Sequence, residues 1–315
     1  MAYRTTFNCL WCGASHAVRG PDDLEGFAQL CPDCIGRAGE NGFLRFRLKA
    51  ALAEQATSQA TSKATSQAAG PVASPVASPA QGRVDPAASE DLSAEMRAYY
   101  QARAPEYDDW YLRQGRYARG PVHDLAWNTE LDQATLWLDS LPLQGEIVEL
   151  AAGTGWWSTL LAGKGVLSLY DANEGPLDRA RSRLLAHGLR AHIHVRDAWA
   201  APDRAVDALF CGFWLSHVPR ARLAAFLELA HAWLKPGGMF AFIDSRPDPH
   251  SGAIDQPVSP DGEVSSRQLA DGRTFNVVKV YWQPAELERA LGSAGFGSAR
   301  VTTTERFFLL GQARA

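Results

Sequence analysis

From Ile147 onward the chain alternates short apolar runs with amphipathic stretches. Ile147 to Leu150 reads as a buried strand, and Trp156 to Ala162 reads as the helix that follows it. Val166 to Tyr170, Ile193 to Arg196, Val206 to Phe213 and Met239 to Ile243 are further strand-length runs. Ala221 to Trp233 carries the spacing of an amphipathic helix. It runs into Leu234-Lys235-Pro236-Gly237-Gly238, where proline and glycines stop it before the next strand. Strands that alternate with helices predict an α/β fold, with a mostly parallel sheet covered on both faces and ligands at the carboxyl ends of the strands.

The turn after the first strand is the place to look for a ligand. In Glu149-Leu150-Ala151-Ala152-Gly153-Thr154-Gly155 the glycines allow a tight turn whose backbone amides can face an anionic group. A strand followed by Gly-x-Gly also opens many loops that bind nothing, so the turn alone leaves the matter open. Acids recur at the ends of the next two strands, Asp171 and then Asp197 in Asp197-Ala198-Trp199. An acid at the end of the second strand can accept hydrogen bonds from both hydroxyls of a ribose, which is the role read for Asp171. Leu215-Ser216-His217-Val218-Pro219 follows the fourth strand.

These motifs together resemble the class I S-adenosylmethionine-dependent methyltransferases, over about residues 93 to 315. The matching pieces are ELAAGTG, Asp171, DAW at Asp197 to Trp199, FCGFWLSHVP after the fourth strand and LKPGG before the fifth. DGRTFNVVKVYW and PAELERALGSAGF look like the family's late strand and helix. The resemblance implies a doubly wound, Rossmann-like sheet of seven strands whose last, about Arg306 to Leu310, runs antiparallel. It also implies S-adenosylmethionine as the methyl donor. Glu149, Ala151, Gly153 and Gly155 would serve its methionine part, Asp171 its ribose, and Asp197, Ala198 and Trp199 its adenine. Ala151 departs from the pattern, since many members carry glycine there. The alternative for the same turn is a nicotinamide dinucleotide site and an oxidoreductase, because Asp171 also sits where that motif places a ribose partner. Against it, the third glycine of that fingerprint falls on Ser158, and no hydride-transfer constellation stands out.

Ahead of the turn lies an aromatic cluster, Tyr99, Tyr100, Tyr107, Trp110, Tyr111 and Tyr117. Two readings stay open. The aromatics pack helices onto the domain, or, as the resemblance favours, they form a lid over donor and acceptor. In the lid, Tyr100 and Tyr107 would touch the cofactor, with Arg103 and Arg119 as partners for a carboxylate, and the aromatic wall would exclude water and face a sulfonium. Methyl transfer needs in-line positioning, and a base only where the acceptor is a weak acid. His217 is the candidate base, with a loop hydrogen bond as the equal alternative. Asp244 and His123 are further acceptor-side candidates, and His250 is another, near the Pro247 to Pro260 loop that should border the acceptor entrance.

The N-terminal region is a separate module. Four of the five cysteines form Cys9-x-x-Cys12 and Cys31-x-x-Cys34, with 18 residues between the pairs. That spacing matches a zinc knuckle or ribbon with a structural, tetrahedral Zn2+. A segment this short would draw its folding free energy from the metal. A redox dithiol and an iron site are the alternatives, and Cys211 reads as a core residue. The module is therefore placed at 1–52 and the methyltransferase domain at 92–315. Between them, tandem repeats of small and polar residues with proline over 53–91 predict a disordered linker.

Residues 1 to 40 hold three Arg or Lys against five Asp or Glu. That balance argues against a grip on nucleic acid, and so against the alternative of an RNA methyltransferase that binds through its zinc module. Contact with a protein partner fits the module better. The net charge of −4 gives no general attraction to nucleic acid or anionic membrane. With no apolar stretch of membrane length and no signal-peptide core, a cytoplasmic enzyme is expected, acting on a small molecule.

Overall fold

In a computed structural model, which describes residues 5–9, 12–18, 20, 23–36, 86–256, 258–259 and 261–315, the apolar runs are strands of one seven-stranded sheet. The described residues form two compact units, one of the residues up to 36 together with 120–125 and one that holds the sheet. The repeat stretch assigned to the linker lies outside the described residues up to 85.

The N-terminal unit consists of β1 (Thr6–Asn8) and β2 (Ser15–Ala17), which pair antiparallel, followed by α1 (Leu24–Ala28) and α2 (Pro32–Gly36). Its core is Phe7, Ala28 and Leu30 with the buried sulfurs of Cys9, Cys31 and Cys34.

The larger unit opens with α3 (Pro86–Arg103), α4 (Tyr107–Leu112) and, from residue 126 on, α5 (Pro121–Ser140). Helix α3 begins inside the stretch that composition assigned to the linker. Ala87 and Ala88 are strong helix formers that composition cannot tell from the alanine-rich repeats before them. Next come β3 (Glu146–Leu150), α6 (Ser158–Ala162), β4 (Val166–Asp171), α7 (Glu174–Ala186), β5 (His192–Val195), β6 (Val206–Gly212) and α8 (Leu223–Ala232). The chain ends with β7 (Leu234–Ser245), β8 (Val264–Gln268), β9 (Thr274–Val278), α9 (Pro284–Ser293), β10 (Gly297–Thr303) and β11 (Phe308–Arg314).

The sheet order is β10-β11-β7-β6-β3-β4-β5. Strands β3 to β7 pair parallel, and β11 is antiparallel to both β7 and β10. Successive residues of the central strands feed opposite faces, which is why they read as nearly continuous apolar runs. Phe240 and Phe242 of β7 pack on one side with Met96, Phe226 and Leu287, whereas Met239, Ala241 and Ile243 pack on the other with Trp127, Leu161 and Leu177.

Three expectations shift in detail. The last strand starts at Phe308 rather than Arg306, because the backbone amides of Arg306 and Phe307 and the hydroxyl of Thr304 all bond to the buried Glu130 carboxylate. That anchor makes the segment a turn. The piece DGRTFNVVKVYW supplies β9, which pairs with β8 in a separate hairpin, and the sheet's additional strand is β10. β8 is Val-Ser-Ser-Arg-Gln, too polar to show an apolar run. Lastly, LKPGG does not merely end a helix. Leu234 already pairs with Val206, and the register then shifts so that Met239 pairs with Ala208, with Gly237 at φ 78° in the excursion.

Candidate functional site

The chain leaves β3 and turns outward to β4 and β5, then returns to β6 on the other side of β3. Such a switch point opens a crevice at the carboxyl ends of the strands. A cavity of about 240 Å³ lies there, lined by Ala151 and Gly153 after β3, Asp171 at the end of β4, Asp197 to Trp199 after β5, and Gly212 to Trp214 at the end of β6.

The turn after β3 needs left-handed backbone at Ala151 (φ 51°), Gly153 (φ 56°) and Gly155 (φ 73°). An alanine in that region costs roughly 1 kcal/mol. Gly155 is required twice over, because a Cβ there would stand 2.7 Å from the Ala180 Cβ and 2.9 Å from its Cα. Gly153 has nothing within 4 Å of a Cβ position, so its open side faces the cavity. Asp171 holds this turn: it accepts from the Gly153 amide at 2.9 Å and from the Asn173 amide at 2.8 Å. Burial pushes its carboxyl up to about 6 against the pull of those two amides.

Glu149 stands apart from its predicted companions. It is absent from the cavity wall, and its carboxylate accepts from the Ser158 hydroxyl at 2.5 Å beneath the turn. Burial pushes it up to about 8. Ser158 fills the place of a third dinucleotide-motif glycine, and its bond to Glu149 shows what that position does here. Past β5, Asp197 accepts from the Trp199 amide at 2.9 Å and pairs with Arg97 at 3.7 Å. The guanidinium of Arg222 stacks 3.8 Å over Trp199.

The aromatic cluster divides. Tyr99, Tyr111 and Tyr117 are buried, and Tyr111 stacks on Trp156 with centroids 4.1 Å apart. Asp108 accepts from Thr154 at 2.6 Å and from Arg183, which fastens α4 to the glycine turn. Tyr100 and Tyr107 line the cavity. They also line a second cavity of about 60 Å³, and the two cavities share Tyr100, Tyr107, Phe213 and His217. Arg103 lines the second cavity, as do Ser251, Gly252, Gln256 and Val258 of the loop after β7.

His217 has both ring nitrogens engaged. Its Nδ1 lies 2.6 Å from the Val278 carbonyl, which can only accept, so Nδ1 carries the proton. Nε2 then accepts from the Tyr100 hydroxyl at 2.6 Å. Burial, together with the positive charge of Lys279, pulls the imidazole down to about 3. A histidine held there is neutral at neutral pH and a poor proton acceptor.

Asp244 lies off both cavity walls, where it accepts from the Ser216 amide at 2.8 Å and the Ser245 amide at 2.6 Å. His123 stands half-buried in the first turn of α5 and lines neither cavity. His250 faces Asp248 at 3.4 Å, and Arg119 donates to the Pro249 carbonyl at 2.9 Å.

Arg267, Lys279, Tyr281, Met96, Arg97 and Arg222, which the motifs do not mark as site residues, also line one of the cavities. Lys279 did leave a signal, as a lone charge in the apolar run Val277-Val278-Lys279-Val280.

In the N-terminal unit the sulfurs of Cys9, Cys12, Cys31 and Cys34 all lie within 4.8 Å of one another. Zinc–sulfur bonds of about 2.3 Å in a tetrahedron place sulfurs roughly 3.8 Å apart, and Cys12 and Cys31 stand at 3.7 Å. The Cys31 amide points at the Cys9 sulfur at 3.4 Å. Burial and the neighbouring thiols push the Cys34 thiol up.

A family model described as a methyltransferase domain matches residues 147–238. Among curated proteins no relative matches this chain. The solved structure of DhpI with SAH is 31% identical, with 71% of this chain and 97% of that one covered and a TM-score of 0.56. DhpI with SAM and HEP is 30% identical, at 71% and 98% coverage and the same TM-score of 0.56. The magnesium protoporphyrin IX methyltransferase of Synechocystis PCC 6803, with SAH bound, is 16% identical over 71% of this chain and 99% of that one, with a TM-score of 0.50, and shares the fold. The fold, the cavity at its switch point and the identity to a structure with bound SAM lead to one conclusion: this chain belongs to the class I S-adenosylmethionine-dependent methyltransferases.

Proposed function

We propose that this enzyme methylates a small molecule held in the second cavity while S-adenosylmethionine occupies the first. The observation that carries the reading is the shared wall, where Tyr100, Tyr107, Phe213 and His217 face both spaces. A cavity of about 60 Å³ suits a group of a few atoms. DhpI, which is similar over 71% of this chain, forms a complex with SAM and HEP together, and that supports a site for two ligands.

The residues of the first cavity fit the donor. S-adenosylmethionine supplies a methyl group on a sulfonium, ready for displacement. Asp171 keeps lone pairs for the two ribose hydroxyls beyond those used on Gly153 and Asn173. Asp197, Ala198 and Trp199 border the adenine, and the open side of Gly153 leaves room for the methionine part. Glu149 supports the turn through Ser158 rather than by contact. Tyr100 and Tyr107 close the space between donor and acceptor and exclude water, so that the rate comes from in-line positioning. The bonds of His217 fix the Tyr100 hydroxyl in place. His217, neutral and with both ring nitrogens engaged, does not act as the base, and the acceptor arrives as a nucleophile in its own right. Neither Asp244 nor His123 is assigned a chemical step.

Cys9, Cys12, Cys31 and Cys34 would hold a structural Zn2+, whose chemistry is to tie the two knuckles together. Methyl-labelled S-adenosylmethionine, incubated with the full chain and a cell extract split into low-mass, RNA and protein fractions, tests the acceptor class. Label in the low-mass fraction is expected, and label confined to RNA or protein overturns the proposal. Metal analysis of the same preparation should find one zinc per chain, and its absence at that level refutes the metal centre.

A further inference from the structure

The second cavity collects positive charge without the means to balance it. Arg103 from the end of α3, Arg267 from β8 and Lys279 just past β9 all line it, and among the described residues no Asp or Glu does. Among the described residues the carboxylate paired with Lys279 is Asp244, 4.0 Å away and committed to two backbone amides.

The remaining bonds are to neutral partners. Lys279 Nζ donates to the hydroxyls of Ser216 at 2.9 Å and Ser245 at 3.1 Å, and Arg267 Nη1 donates to the Gln256 side-chain oxygen at 3.3 Å. Arg103 is only 9% exposed and lies against the rings of Tyr107 at 4.5 Å, Tyr117 at 5.5 Å and Tyr99 at 5.6 Å. Its Nε has no hydrogen-bond partner, and neither does the buried hydroxyl of Tyr117 on the same cavity wall. Unsatisfied buried donors are costly, and so are like charges gathered in a poorly solvated space. An anion placed between them relieves both costs.

We propose that the methyl acceptor carries an anionic oxyacid group, a carboxylate or a phosphorus oxyacid, which docks between Arg103, Arg267 and Lys279. This rests on the second cavity's being the acceptor site. The guanidinium forks suit a planar or tetrahedral oxyanion, and Lys279 adds a point charge. The Tyr117 hydroxyl is left to donate to a remaining oxygen. Burial, with Arg267 and Arg103 adding to it and Asp244 opposing, holds the Lys279 ammonium down to about 8, which agrees with a cluster short of negative charge.

The test uses the full chain saturated with S-adenosylhomocysteine and titrated calorimetrically with inorganic phosphate or with acetate, with glycerol as the neutral control. Saturable binding of at least one anion and none of glycerol is expected. Which anion binds tells a phosphorus oxyacid from a carboxylate. Arg267→Gln, at a half-buried hairpin position clear of the first cavity, should weaken that binding by about tenfold or more. Arg267→Lys should recover part of the loss, with the S-adenosylhomocysteine affinity within about twofold throughout. Absence of saturable binding by either anion overturns the proposal, as does Arg267→Gln binding as tightly as the unsubstituted chain. The titrations are repeated without S-adenosylhomocysteine. Failure of that ligand to bind then overturns the donor assignment, and the anion result stands or falls by itself.

Discussion

The two cavities share a wall but are built in opposite ways. The first is built mainly from residues at or just past the ends of β3, β4, β5 and β6, joined by Met96, Arg97 and Tyr100 of α3, Tyr107 of α4 and Arg222. The second draws on α3, the turn before α5, the loop after β7 and the β8–β9 hairpin, segments joined by tertiary contact alone. The first presents backbone turns and the acids Asp171 and Asp197 beside its cations, whereas the second presents cations and phenols with no acid among its described lining residues. A parallel sheet with a switch point dictates the first site, which leaves the appended segments free to set the second.

Perturbations confined to the first cavity sharpen the contrast. Asp171→Ala should give the largest effect, because its carboxylate holds the turn and, in the proposed function, would also bind the ribose. Donor affinity by calorimetry should fall about 100-fold, with anion binding in the second cavity unchanged. An equal loss in both would break the separation.

Next comes the pH dependence of stability around Glu149. Its carboxyl is raised by burial to about 8 from the ordinary 4.5, so the folded protein keeps a proton that the unfolded chain has released. Stability therefore falls as pH rises from about 4.5 to about 8 and levels beyond, by at most about 1.4 kcal/mol per pH unit from this group. Glu149→Gln, which mimics the protonated form, should flatten that slope in denaturant titrations. An unchanged slope would mean that Glu149 is ionised in the fold.

The smallest effect belongs to Ala151→Gly. Relief of the left-handed alanine is offset by the entropy of glycine, so a stabilisation below about 1 kcal/mol is expected from thermal unfolding. A larger gain would show that the turn is strained beyond its backbone angle.

Local patterning carried much of this architecture. Periodicity located the strands from β3 to β7, because a sheet buried on both faces must be apolar at every position. It missed β8, which is polar and half-exposed, and α3's first turn, whose alanines merge with the repeats. Tyr100 and Tyr107 were legible as candidates for the donor side, and both line the first cavity; that they also border a second cavity, and that Arg103 lines it, was not legible.

By itself the sequence determined the alternation of strands and helices and the paired cysteines, because periodicity and motif spacing are local, and the resemblance its motifs carry supplied the donor class. Only the tertiary structure decided that Glu149 lies beneath the turn, that His217 is locked between Tyr100 and Val278, and that Arg103, Arg267 and Lys279 converge. Burial and charge proximity set protonation and ligand preference, and both depend on segments more than 100 residues apart in the chain, such as Arg103 and Arg267.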